Sequence, residues 1–124
     1  MSFRILLLVL TSVAISAFAQ IALKRGMSSP AVQQVLDRGD LLQKIITVGT
    51  TPMVITGLVL YAVGAVVWLL VLARIDVSQA YPFVGLGFVI TLAFGALVLG
   101  ENVNAMRLTA VGLIAAGIIV LSQS

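Results

Sequence analysis

Cysteine and histidine are both absent from this chain of 124 residues. Disulfides, thiol chemistry and the usual zinc sites are excluded with them. Charge is nearly as scarce: 9% of residues carry it, against about 25% in an average soluble protein. The four carboxylates are too few and too dispersed for a calcium cage. Seven basic residues outnumber them, but they form no run and have no aromatics between them, so the net charge of +3 is not a nucleic-acid signal. Nothing in the composition calls for a cofactor. The length allows a single domain, residues 1–124, and leaves no room for a soluble catalytic unit. An enzyme is not expected.

What is present is hydrocarbon. Hydrophobic residues make up 61% of the chain, and the mean hydropathy is +1.24. Residues 5–23, 53–73, 77–100 and 108–124 contain no Asp, Glu, Lys or Arg. A bilayer core about 30 Å thick takes about 20 helical residues to cross. In lipid the backbone must satisfy its own hydrogen bonds, so these stretches read as helices. The fold class is an all-α membrane protein with four transmembrane helices. Four helices are too few to enclose a sizeable polar path, so an oligomer is expected.

Helix one is expected from Phe3 to Leu23, ended by Lys24-Arg25-Gly26. Arg4, the apolar run and Ala17-Phe18-Ala19 have the form of a signal sequence, but the run continues to Lys24, as suits a spanning helix better. Ser29-Pro30 reads as a cap and first-turn proline. Beyond it Val32, Val35, Leu36, Leu42, Ile45 and Ile46 recur at helical spacing, opposite Gln33, Gln34, Asp37, Arg38, Asp40 and Gln43. This is an amphipathic interfacial segment between helices one and two, broken at Gly39. Helix two starts at Thr50-Thr51-Pro52 and ends near Ala73. The short Arg74-Ile75-Asp76 turn makes helices two and three antiparallel neighbours. Helix three runs from Val77 to Leu99 and helix four from Ala105 to Leu121. Ser12 and Ser16, Ala96 and Gly100, and Gly112 and Ala116 are small-xxx-small pairs that suit close helix approach.

Ser12, Ser16, Gln20 and Lys24 are spaced by four and share one face of an otherwise apolar helix. Polar groups in lipid face protein or a wet cavity. A stripe ending in a cation suits an anionic, hydroxylated head group; interhelical hydrogen bonds and a snorkelling lysine are the bland alternative, favoured for Ser12. Tyr61 and Trp68 share a face of helix two, as packing or as site. Tyr81-Pro82, followed by Gly85 and Gly87, predicts an irregular start to helix three, because proline removes a backbone donor. Glu101 lies at a helix C-terminus, against the dipole, so a partner such as Arg107 or Lys24 is expected, with a solvated interfacial acid as the alternative. No carboxylate lies inside a span, and proton-coupled antiporters generally use one as the proton carrier.

These residues, in this order, resemble the drug/metabolite transporter superfamily and its small multidrug resistance branch. Trp68-Leu69-Leu70-Val71-Leu72, Ala80-Tyr81-Pro82, Gly100-Glu101 and the Gly112-rich last helix are most similar to the small, EamA-like subunits of the aminoarabinose–phosphoundecaprenol flippase. Ser16, Gln20 and Lys24 match those subunits' first-helix pattern. Drug exporters of the branch carry a first-helix glutamate; here Ser16 stands at that position. The connection from Arg25 to Pro52 is also longer than the family's usual loop.

The resemblance implies an inner-membrane flippase subunit that moves an undecaprenyl-phosphate-linked amino sugar for lipid A modification. Lys24 would hold phosphate, and Ser16, Gln20 and Tyr81 would contact phosphate or sugar. Trp68 would line the prenyl chain, with Tyr61 and Glu101 completing the candidate site. Partners would be membrane lipids, the lipid-linked sugar and a similar four-helix subunit, as homodimer or heterodimer. A small-solute or drug exporter and an assembly partner of a membrane glycosyltransferase are the alternatives. Lys24, Arg25, Arg38, Lys44 and Arg107 against Arg4 and Arg74 place both chain ends in the periplasm by the positive-inside rule.

Overall fold

The computed structural model describes residues 2–124. Helix α1 spans Phe3–Met27, α2 Pro30–Arg38, α3 Leu41–Thr50, α4 Pro52–Leu72, α5 Val77–Ala80, α6 Gly85–Leu97 and α7 Ala105–Ser122. A 3-10 turn at Tyr81–Val84 joins α5 to α6, and no strand occurs among the described residues. Phe3–Met27, Pro52–Leu72, Val77–Leu97 and Ala105–Ser122 are long and apolar enough to cross a membrane. The chain is an all-α, multi-pass membrane protein.

Local chemistry sets the ends of these helices. Ser2 Oγ accepts the Ile5 amide at 3.3 Å and opens α1. The helix does not stop at Leu23, as the sequence suggested, but runs on to Met27. Gly26 is a contact residue, not a terminator: a Cβ there would lie 2.6 Å from Val54 Cγ2. Lys24 and Arg25 occupy the last turn, where cations complement the helix dipole. Ser29 caps α2 by accepting the Val32 amide at 3.4 Å, with Pro30 at the first helical position. Gly39 breaks the amphipathic stretch as expected, and an Asp40–Gln43 capping box restarts it as α3. No residue of α3 is buried, and Leu41, Leu42, Ile45 and Ile46 are all exposed. Their spacing puts them on one side of α3. Thr51 both ends α3 and begins α4, tying this face to a span.

Helices α1 and α4 form the main seam, running antiparallel. Glycine makes the close approach possible, at Gly57 against Leu23 and at Gly64 against Ser16. The Ser12/Ser16 pair therefore faces α4. The other two small-residue pairs play a different part, because Gly100 and Gly112 have open space around them. Gly100 serves its turn instead, with φ +69°. Val9, Val13, Val71, Ala80, Phe83 and Ile118 form the buried core, at the end of the bundle where α5 and the 3-10 turn sit.

The expected pairing of the second and third spans is corrected. The short turn after α4 is present, but the principal neighbours of α6 are α1 and α7. Helix α6 runs parallel to α1, as alternate spans do. Gly87 meets Val13, and Phe94 meets Phe18 edge-on with centroids 5.2 Å apart. Helices α4 and α6 thus flank α1 and leave a groove over it.

Candidate functional site

The groove holds a cavity of about 520 Å³. Ser12, Ser16 and Gln20 of α1 form its polar floor. Tyr61 and Trp68 of α4 form one wall; Tyr81, Gly87, Phe88 and Thr91 form the other. Five of the seven candidate residues named from sequence, Ser16, Gln20, Tyr61, Trp68 and Tyr81, thus meet at one cavity.

Each wall follows from its local sequence. The four-residue spacing on α1 stacks the floor residues. Ser12 is 2% exposed, and its Oγ donates to the Gly64 carbonyl at 2.8 Å, so its hydroxyl is committed to the α1–α4 seam. Among the described residues Ser16 and Gln20 make no side-chain hydrogen bond, which leaves both free for a ligand. Trp68 packs against the core while lining the cavity. Tyr81 opens the 3-10 turn and is exposed at the groove's lip. The irregularity expected at Tyr81-Pro82 is present, and Tyr81 within it lines the cavity.

Lys24 and Glu101 do not line the cavity; they pair with each other beyond its end. Lys24 Nζ lies 4.0 Å from Glu101 Oε2, with the side chains 57% and 44% exposed. Such exposed pairs contribute about 0–1 kcal/mol. Of the two partners weighed for Glu101, Lys24 is the one observed. The Arg107 guanidinium instead donates to the Asn102 carbonyl at 3.0 Å. Glu101 reaches Lys24 because Gly100 adopts a left-handed conformation and the Glu101 amide bonds back to the Gly95 carbonyl at 2.9 Å. The carboxylate then rests on Gly95, where a Cβ would lie 2.6 Å from Oε1.

Sequence reasoning named Gly87 only for the irregular start of helix three, and missed Thr91 and Gly95. Their signal was available, since they repeat the four-residue spacing of the α1 stripe on α6. No cluster of three metal-ligating side chains occurs among the described residues. The cavity offers hydroxyl and amide groups to a polar ligand beside apolar walls. It holds no nucleophile–base pair.

No solved structure matches the chain. Among curated proteins, one from Pseudomonas savastanoi pv. phaseolicola is 42% identical over 60 residues, covering 48% of this chain and 53% of that protein. Another, from Pseudomonas syringae pv. syringae, is 38% identical over 60 residues, 48% of this chain and 56% of its own. The chain thus spans about half the length of these two relatives. A third, from Pseudomonas fluorescens, is 31% identical over 124 residues, 95% of this chain and 96% of its own. All three are named as probable 4-amino-4-deoxy-L-arabinose-phosphoundecaprenol flippase subunit ArnE. Residues 35–123, which take in α7 and both groove walls on α4 and α6, match the model of the EamA-like transporter family, and the chain belongs to that family.

Proposed function

We propose that this protein is a subunit of an inner-membrane flippase for an undecaprenyl-phosphate-linked amino sugar, serving lipid A modification. One observation carries the reading. A polar floor with two uncommitted side chains, Ser16 and Gln20, runs along a helix among apolar spans and leads to a lysine. A head group with phosphate and hydroxyls needs such a path, because an unsatisfied polar group in hydrocarbon costs several kcal/mol. The apolar chain needs none and can travel outside the groove. Lys24 takes phosphate, Gln20, Ser16 and Tyr81 take phosphate or sugar, and Tyr61 and Trp68 supply aromatic walls. The relatives' names support the same cargo. The protein moves its substrate without altering it, and it works with a second small four-helix subunit, identical or similar.

Lys24 is the residue on which this reading turns. An ammonium is a compact point charge, whereas the guanidinium fork needs a different geometry. A charge-assisted hydrogen bond contributes about 1.5–3 kcal/mol, or about ten- to a hundred-fold in affinity. Lys24→Ala and Lys24→Gln are expected to abolish transport at unchanged protein level, and Lys24→Arg to restore it in part. Lipid A modification in cells, at matched abundance, is the measurement. Wild-type behaviour of Lys24→Ala would refute the assignment and leave Lys24 a snorkelling residue.

A further inference from the structure

We propose that Lys24 and Glu101 together read a zwitterionic head group, by exchanging their bond to each other for bonds to a ligand phosphate and a ligand ammonium. This rests on the flippase reading above and adds to it which residues meet the two charges of that cargo: Lys24 the phosphate and Glu101 the ammonium.

The first support is position. Lys24 is one helical turn beyond Gln20, and Gly95 one turn beyond Thr91; both Gln20 and Thr91 line the cavity. The ion pair is therefore the next layer past the cavity's end, about 6 Å along the helices. A head group resting on Gln20 and Thr91 touches both charges.

The second support is a constructed seat. Three features bring the carboxylate there: the positive φ of Gly100, the Glu101–Gly95 backbone bond and the missing side chain at Gly95. Yet nothing clamps it. No hydrogen bond to the Glu101 side chain occurs among the described residues, and the 4.0 Å approach of Lys24 is loose. The carboxylate is delivered to the mouth of the site and left available.

The third support is charge balance. A phosphate drawn to Lys24 lies beside the Glu101 carboxylate and takes away its partner. A ligand bearing phosphate alone thus meets like-charge repulsion from Glu101. A ligand bearing phosphate and ammonium replaces one loose pair with two and leaves no charge alone. Glu101 selects by repulsion as well as attraction, as specificity generally requires.

Trp68 is the sole tryptophan and lines the cavity, so its fluorescence reports occupancy independently of the ion pair. The experiment titrates the protein in nanodiscs with two probes: undecaprenyl phosphate carrying a 4-amino-4-deoxy sugar, and the same lipid with its amine acetylated. Wild type is expected to prefer the free amine by about ten-fold or more, the usual effect of one charge-assisted bond. Glu101→Gln removes that preference, chiefly by tightening the acetylated lipid. Gly95→Ala keeps the acid but displaces it. The added Cβ meets only the Glu101 carboxyl, so the fold tolerates it, and the preference falls part way. Lys24→Ala weakens both lipids. A preference absent in wild type, or unchanged in Glu101→Gln and Gly95→Ala, overturns this inference and leaves the flippase reading standing. Failure of wild type to bind either lipid overturns both.

Discussion

Ser12 and Gln20 stand two turns apart on the same face of α1, and their removal should read out differently. Ser12 donates to the Gly64 carbonyl across the α1–α4 seam. Interhelical bonds of this kind in membranes average about 0.6 kcal/mol, with a maximum of about 1.7. Ser12→Ala is therefore expected to lower the thermal midpoint in detergent slightly and to leave transport intact. Among the described residues Gln20 has no hydrogen-bond partner, so Gln20→Ala should leave the midpoint unchanged and reduce transport, though less than Lys24→Ala. Paired melting curves and lipid A analysis check both arms; a transport defect confined to Ser12→Ala would reverse the roles. At this scale the sequence was informative about faces and silent about seats. A spacing of four put Ser16, Gln20 and Lys24 in line. The place of Glu101 depends on a left-handed glycine and on a missing side chain at Gly95, and neither follows from helical periodicity.

The helices themselves were legible because charge is excluded from lipid: each uncharged run became a span. Their ends were less so. Gly26 read as a stop, yet it lies within α1 as a contact with Val54, since a glycine that breaks a helix and one that admits a neighbour look alike in sequence. Pairing was least legible. Spans that are apolar on all sides carry no stripe to say which neighbour they face, and α6 settled on α1 rather than α4. The amphipathic α3 is the exception, with Leu41, Leu42, Ile45 and Ile46 exposed on one side. Burying them in lipid would gain about 25 cal/mol per Å² of apolar area, so α3 is expected to lie flat at the interface. Spin labels at Leu42 and Ile45 are expected to be reached by lipid-soluble oxygen, and a label at Gln43 by water-soluble quenchers. Equal access of the aqueous quencher to all three would detach α3 from the membrane.

The whole molecule carries its basic residues unevenly. Lys24, Arg25, Arg38 and Lys44 lie between the first two spans, and Arg107 begins α7. Only Arg4 and Arg74 lie on the opposite side. A cation-rich connection resists translocation, so the rule that counts Lys and Arg near span ends predicts α2, α3 and the α6–α7 turn in the cytoplasm. Both Ser2 and Ser124 then face the periplasm. The same orientation turns the Lys24–Glu101 end of the groove toward the cytoplasm, so a charged head group arriving from that side meets the ion pair before the cavity. The chain has no cysteine, which makes each introduced thiol unique. Ser2→Cys and Ser124→Cys are expected to react with an impermeant maleimide while the inner membrane is intact, and Asp40→Cys only after it is opened. The reverse pattern would invert the molecule and put the ion pair at the periplasmic exit. Lys24 and Glu101 would then act in release of the head group rather than in its capture, and loss of Glu101 would slow departure of the amine-bearing lipid instead of its selection.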